Sequence, residues 1–305
     1  MIEANRTAQR KPVIGFVLLS HLSSPALARL VGALNRTYDN PPIVIHHDFS
    51  QSPLPLTSAQ VGNNISVVQP HYRTRWAHIS LVDAFLTALE VIFEKHALDW
   101  FSLVSAACYP VARGEDVIDE LANSPYDAYL DYKKIALVPT TSREKMVTLW
   151  RKLRGLPNLD SPQQWINRCY HRYISTSRSD SPPFSADFEC FAGDQWFTAN
   201  SKSAEVLIAS RRERNALFYH YANVECPEES FYQTILCNHH GIRICRDNKR
   251  YADWSGGGAH PKELGEDDLP AILKSGCHFA RKVSAEKSAC LLDALDRMHF
   301  ARSSS

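Results

Sequence analysis

The stretch "VIGFVLLSHLSSPALARLVGALNR", residues 13–36, decides the fold class of this chain of 305 residues. Its first seven residues are continuously apolar, as a strand buried on both faces requires. The polar "SHLSS" follows, and then Leu27, Leu30, Val31 and Leu34 recur at helical spacing. Ser24 suits the N-cap and Pro25 the first helical position, so the unit reads strand, loop, helix.

The same alternation continues outward. "PIVIHHD" predicts a second strand ending at Asp48, and "ISVV" from Ile65 a third. "ISLVDAFLTALEVIFEKH" places Leu81, Val82, Phe85, Leu89, Ile92 and Phe93 on one helical stripe, and "WFSLVSA" returns to strand. "EDVIDELAN" predicts a helix and "YDAYLDY" a strand. Strands alternating with helices imply an α/β fold with a mostly parallel, Rossmann-type sheet and helices on both faces. Ligands in such sheets bind beyond the carboxyl ends of the strands.

Residues 1–12 read as a tail and residues 13–283 as one domain. Within it, 13–132 are expected to form a nucleotide-binding half, 133–183 a basic, aromatic insertion and 184–283 an acceptor-binding and catalytic half; 284–305 are a C-terminal helix and tail. The insertion holds Trp150, Trp165 and clustered arginines, which fits either solvated helix faces or an acceptor-binding element. Beyond it, "FECFAGDQWFTAN" is strand-like, "SKSAEVLIASRRERNALFYHY" helical, and "GIRICRD" and "HFARKV" strands.

With 44% hydrophobic and 22% charged residues the chain can bury a sizeable core. A formal charge of +1 gives no global field for nucleic acid, so no nucleic-acid partner is expected. The eight cysteines are scattered without a CxxC pair, residues 1–12 do not read as a secretory leader, and no apolar run reaches the roughly 18 residues of a membrane span. Free thiols and a cytoplasmic location are expected, with no transmembrane segment and peripheral membrane association left open.

"CPEESFYQTIL" opens a helix with two adjacent carboxylates, Glu228 and Glu229, after Pro227. Carboxylates in a first turn complement the helix dipole, and with Cys226 as N-cap Glu229 falls at N3. "HHD" (His46, His47, Asp48) has metal-ligand residue types at a strand end. Alternation points His46 and Asp48 the same way, which suits a nucleotide contact better than a two-ligand metal site. "SGGGAH" lacks both the P-loop pattern and GxGxxG. No Asp-x-Asp occurs anywhere in the chain. A diphosphate leaving without a metal needs cationic side chains, and Lys262 of "HPK" with Arg281 and Lys282 of "FARK" are the candidates.

Taken in order, "RTRWAHISLVDA", "SAACYP", "GDQWFTANSKSAEVLI", "PEESFYQTIL", "RYADWS", "HPKEL" and "FARK" resemble the core-2/I-branching β-1,6-N-acetylglucosaminyltransferase and peptide xylosyltransferase family, glycosyltransferase family 14. The resemblance implies a GT-A-like fold, a UDP-sugar donor, a glycan or glycoconjugate acceptor, inversion at the anomeric carbon and no divalent metal or other cofactor. It implies Glu229 as catalytic base, Lys282 and Lys262 on the diphosphate, and Trp254 on the acceptor, with Trp196 of "GDQW" a second acceptor candidate. His46, Asp48 and Asp83 would line the nucleotide side. Cys108 departs from the family, many of whose members have Asp before the aromatic-Pro pair. A non-catalytic sugar-nucleotide or glycan-binding protein of the same fold, and a metal-dependent hydrolase built on "HHD", are the alternatives.

Overall fold

Strand β1 (Ile14–Ser20) is buried along its whole length, and every other layer of the domain is arranged around it. In this computed structural model the described residues are 10–58, 60–135, 172–174, 182–255 and 260–300. Strands β2 (Ile43–His47), β3 (Ile65–Val67), β4 (Trp100–Ser105), β6 (Ala128–Tyr129), β9 (Thr198–Asn200) and β10 (Ile244–Cys245) join β1 in one sheet. Its order is β10-β6-β9-β4-β1-β2-β3. β1 pairs in parallel with β2 and β4, β2 with β3, and β6 with β10, whereas β9 runs antiparallel to both its neighbours. The expected mostly parallel α/β sheet is therefore the one the chain forms.

Sequence chemistry accounts for the first unit directly. Ser24 caps α1 (Pro25–Thr37) by accepting from the Ala26 N–H, with Pro25 in the first turn. Leu27, Leu30 and Leu34 turn to the core with no exposure. Helix α2 (Ser80–Lys95) lays Val82, Phe85, Leu86, Leu89 and Ile92 against β1 and β2. Each such side chain contributes roughly 1.5–3 kcal/mol on burial, and these positions are why the strands read as unbroken apolar runs.

Three features go beyond the sequence reading. A second sheet of β11 (Arg250–Ala252), β12 (Phe279–Arg281) and β5 (Cys108–Pro110) stands beside the first, and β7 (Lys133–Lys134) pairs antiparallel with β8 (Phe191–Ala192). The long helical stretch after β9 divides at Arg214, which leaves helical geometry at φ −124° and ψ 54°, into Ser201–Glu213 and Asn215–Tyr221. The C-terminal helix Ala289–Phe300, set apart in the sequence reading, is part of the core: Leu291, Leu292 and Leu295 are buried, and Tyr109 donates its hydroxyl to Asp296 at 2.7 Å.

The seven cysteines among the described residues are free thiols. Among the same residues no helix is long and apolar enough to cross a membrane.

Candidate active site

A cleft of about 780 Å³ opens where the parallel strands end. Ser20 closes β1, His46 lies at the end of β2, Ser105 ends β4, and Asp131 and Arg246 follow β6 and β10. Gly193 to Trp196 enter from the loop before β9, and Ala252 and Arg281 from the second sheet. The position is the one a doubly wound sheet reserves for ligands, and the volume suits a ligand of drug to nucleotide size.

The two glutamates arrive on a tight turn. Cys226 adopts a left-handed conformation, φ 51° and ψ 51°, and Pro227 then starts a 3-10 turn, Pro227–Glu229, before the helix Phe231–Cys237. This reverses the chain sharply, at the cost a non-glycine residue meets in that region. The turn and the helix after it are each tied to the Gly193–Trp196 loop: the Gly193 N–H donates to the Glu229 carbonyl at 2.8 Å, and Gln233 Nε2 to the Asp194 carbonyl at 2.8 Å. A Cβ at residue 193 would stand 2.0 Å from the Asp131 carbonyl oxygen, so only glycine allows this approach.

Glu228 does not sit at a solvated helix end, as dipole complementation suggested. It is 4% exposed, and its Oε2 has no hydrogen-bond partner among the described residues. Burial, reinforced by the charge of Glu229, pushes its carboxyl up to about 7. Glu229 is the accessible one of the pair, its side chain 40% exposed in the cleft. Its Oε2 accepts the Tyr173 hydroxyl at 2.8 Å and lies 3.5 Å from an Arg172 nitrogen.

The expected cations divide. Lys282 lines the cleft, and among the described residues no carboxylate pairs with it. Arg281 also lines it, with its guanidinium 3.8 Å from Asp194 and stacked over the Trp196 ring at 5.0 Å. Lys262 is not among the cleft-lining residues: its ammonium donates to both oxygens of Asp268 at 2.8 and 3.1 Å, a carboxylate that also accepts the Gly265 N–H. Its neighbours His260 and Pro261 reach the cleft instead.

Of the three residues expected on the nucleotide side, His46 lines the cleft and Asp48 and Asp83 do not. His46 Nε2 accepts the Tyr72 N–H at 2.9 Å, and burial lowers its imidazole to about 4, so the ring is neutral. Asp48 is fully buried and accepts from Ser50 N and Oγ, Gln51 Nε2, and Thr74 N and Oγ1, at 2.6 to 3.0 Å. These donors hold its carboxyl well below the usual carboxylate range. With its lone pairs taken, Asp48 fixes the segment that carries Thr74 and Trp76 into the cleft and has none left for a ligand. Asp83 also lies outside the cleft lining; it faces Arg211 at 3.7 Å.

Of the acceptor-side tryptophans, Trp254 is 53% exposed in the cleft, with indole surface available to a sugar ring. Trp196 is 8% exposed with one face under Arg281, so it shapes the site more than it offers a platform. Trp150 and Trp165 of the basic insertion lie outside the described residues.

Several lining residues were not singled out from the sequence. Trp76, 69% exposed, stands against His260 with ring centroids 6.5 Å apart. Asp194 accepts from Asn248 Nδ2 at 3.0 Å, and burial raises its carboxyl against the opposing charges of Arg281 and Arg250. Arg250 is buried, donating to Ser102 Oγ at 2.6 Å and packing on Phe279 at 4.5 Å, and so joins the two sheets beneath the cleft. "GDQW" and "RTRW" carried the signal as motif strings, without a role for each residue. Cys108, in the family's Asp position, is wholly buried and pairs across the second sheet with Arg281. Among the described residues no three His, Cys, Asp or Glu side chains group as metal ligands.

The model of the Core-2/I-Branching enzyme family matches residues 14–274. The beta-glucuronosyltransferase GlcAT14B of Arabidopsis thaliana is 23% identical over 211 residues, covering 67% of this chain. The chain spans 45% of the length of that curated relative. The crystal structure of mouse xyloside xylosyltransferase 1 in its apo form aligns over 88% of this chain and 97% of its own, at 8% identity and a TM-score of 0.35.

Proposed function

Since this chain belongs to the Core-2/I-branching enzyme family, we propose that it is an inverting, UDP-sugar-dependent glycosyltransferase that forms a β-glycosidic bond by single displacement. The observation that carries the reading is that one cleft, beyond the carboxyl ends of the strands, holds an accessible carboxylate at Glu229 and, at Lys282, an ammonium with no carboxylate partner among the described residues.

Glu229 takes the proton of an acceptor hydroxyl as its oxygen attacks the anomeric carbon; the new C–O bond forms on the face opposite the breaking bond to phosphate, and UDP departs. Glu228 is a poor alternative, since it is 4% exposed and its Oε2 is buried without a hydrogen-bond partner among the described residues. Lys282 and Arg281 stabilise the charge that grows on the diphosphate, the service a divalent ion performs where an Asp-x-Asp holds one. Trp254 stacks on the acceptor sugar. The donor comes from the set to which N-acetylglucosamine, xylose and glucuronic acid belong, and the name of the plant relative favours including the last.

A panel of UDP-N-acetylglucosamine, UDP-xylose and UDP-glucuronic acid, scored for slow UDP release without acceptor, tests the reading. One donor should be hydrolysed, equally in EDTA and in Mn²⁺. Binding of a donor with no turnover under any acceptor would favour a sugar-nucleotide-binding protein instead.

A further inference from the structure

Tyr173 and Arg172 lie in the segment that the sequence marks as an insertion, and they meet the Pro227–Glu229 turn at its most accessible carboxylate. The hydroxyl of Tyr173 donates to Glu229 Oε2 at 2.8 Å, and the nearest Arg172 nitrogen is 3.5 Å from the same oxygen. Both contacts fall on Oε2.

Tyr173 is itself firmly held. It is 5% exposed in a small apolar cluster with Ile135, Ile174, Cys190, Ala192 and Cys226, the last being the left-handed residue that launches the turn. Its carbonyl accepts His220 Nε2 at 2.7 Å, which makes that nitrogen the protonated one. Burial and the neighbouring Glu229 charge push the phenol far above its ordinary value, so it remains a donor at any working pH. Ring, backbone and hydroxyl are thus all fixed against the same turn.

We propose that Tyr173, assisted by Arg172, is a positioning residue that locks one oxygen of Glu229 and leaves the other to face the acceptor. The inference rests on Glu229 being the base. A glutamate otherwise rotates freely about its terminal torsion, and a base misplaced by about an ångström loses rate on the order of a hundredfold. Arg172 is half-exposed and supplies charge beside the same oxygen; Tyr173 supplies the fixed geometry.

The test is a double-mutant cycle on the full chain, using the UDP-sugar that the donor panel identifies. Tyr173→Phe keeps the ring in its cluster and should lower kcat about tenfold with KM for the UDP-sugar unchanged. In a Glu229→Gln background the same change should lower the residual rate no further, because the carboxylate it positions is gone. Equal losses in both backgrounds, a raised KM with kcat intact, or no loss at all would each overturn the inference. Should Tyr173→Phe fail to fold, Arg172→Gln on the exposed side is run through the same cycle and judged by the same outcomes. If Glu229→Gln turns over like the wild type, the reading of Glu229 as base fails and the positioning role falls with it. If Glu229→Gln is inactive and the cycle is additive, the positioning role alone is wrong.

Discussion

Glu228 and Glu229 are neighbours on one 3-10 turn, yet the first is buried with an oxygen that no described group satisfies, and the second is 40% exposed with one oxygen held by Tyr173. The turn separates them because Cys226 is left-handed and Pro227 fixes the next torsion, which leaves Glu228 buried in the cleft wall and Glu229 exposed within the cleft. Two identical residues therefore have different chemistry, set by exposure.

The first consequence concerns stability against pH. Burial raises Glu228 to about 7 in the folded chain from an ordinary 4.5. The folded state then binds more protons than the unfolded one between those values, so this group makes stability fall as pH rises from about 4.5 to 7. Glu228→Gln is isosteric with the protonated acid and removes that loss. Thermal melts should show the variant near wild type at pH 4.5 and more stable above pH 7; a gap that does not grow with pH counts against the assignment.

Turnover should separate the same pair. Glu229→Gln is expected to lower kcat by roughly a hundredfold or more while UDP affinity stays within about twofold, since the group meets the acceptor and not the nucleotide. Glu228→Gln should change kcat by less than about threefold. Steady-state kinetics and UDP titration measure both, and a dead Glu228→Gln beside an active Glu229→Gln would reverse the roles.

Asp48 should act through the fold. Asp48→Asn substitutes an amide for a carboxylate that accepts five hydrogen bonds from Ser50, Gln51 and Thr74, and the amide nitrogen then opposes donors. A loss of about 2 kcal/mol or more in urea unfolding is expected. Donor binding should weaken only as far as the Thr74–Trp76 segment loosens. A variant of wild-type stability that cannot bind UDP would show that Asp48 touches the nucleotide after all.

These cases mark what was legible beforehand. The strand-loop-helix unit of residues 13–36 and the stripe of α2 could be read because periodicity and capping are local, and β1, α1, β2 and α2 formed as expected. The second sheet could not, since β5, β11 and β12 are three residues each, and β5 owes its pairing to β12, more than a hundred residues further along the chain. At the site, Glu229, Lys282 and Trp254 do share one cleft. Lys262, Asp48 and Asp83 have the right chemistry but are committed to Asp268, to the Ser50 and Thr74 loops, and to Arg211. Residue type reveals what a group can do, and only three-dimensional neighbours reveal whether it is already occupied.

That distinction makes Lys282 and Arg281 unequal, although they are adjacent in sequence. Arg281 pairs with Asp194 at 3.8 Å and covers Trp196, so part of its charge is answered before any ligand arrives. Lys282 has no carboxylate partner among the described residues. A diphosphate entering the cleft gains the full charge-assisted contact from Lys282, about 1.5–3 kcal/mol, which is roughly tenfold to a hundredfold in affinity. Lys282→Ala should therefore weaken UDP by that factor and slow transfer in parallel, with little change in thermal stability. Arg281→Ala should weaken UDP less and cost more stability, because it strips Asp194 of its nearest cation and leaves a buried carboxyl exposed to its desolvation cost. Added Mn²⁺ should rescue neither variant. Calorimetric titration of UDP beside thermal melts for the two substitutions reads both quantities, and the assignment fails if Arg281→Ala proves to be the one that loses nucleotide while keeping its stability.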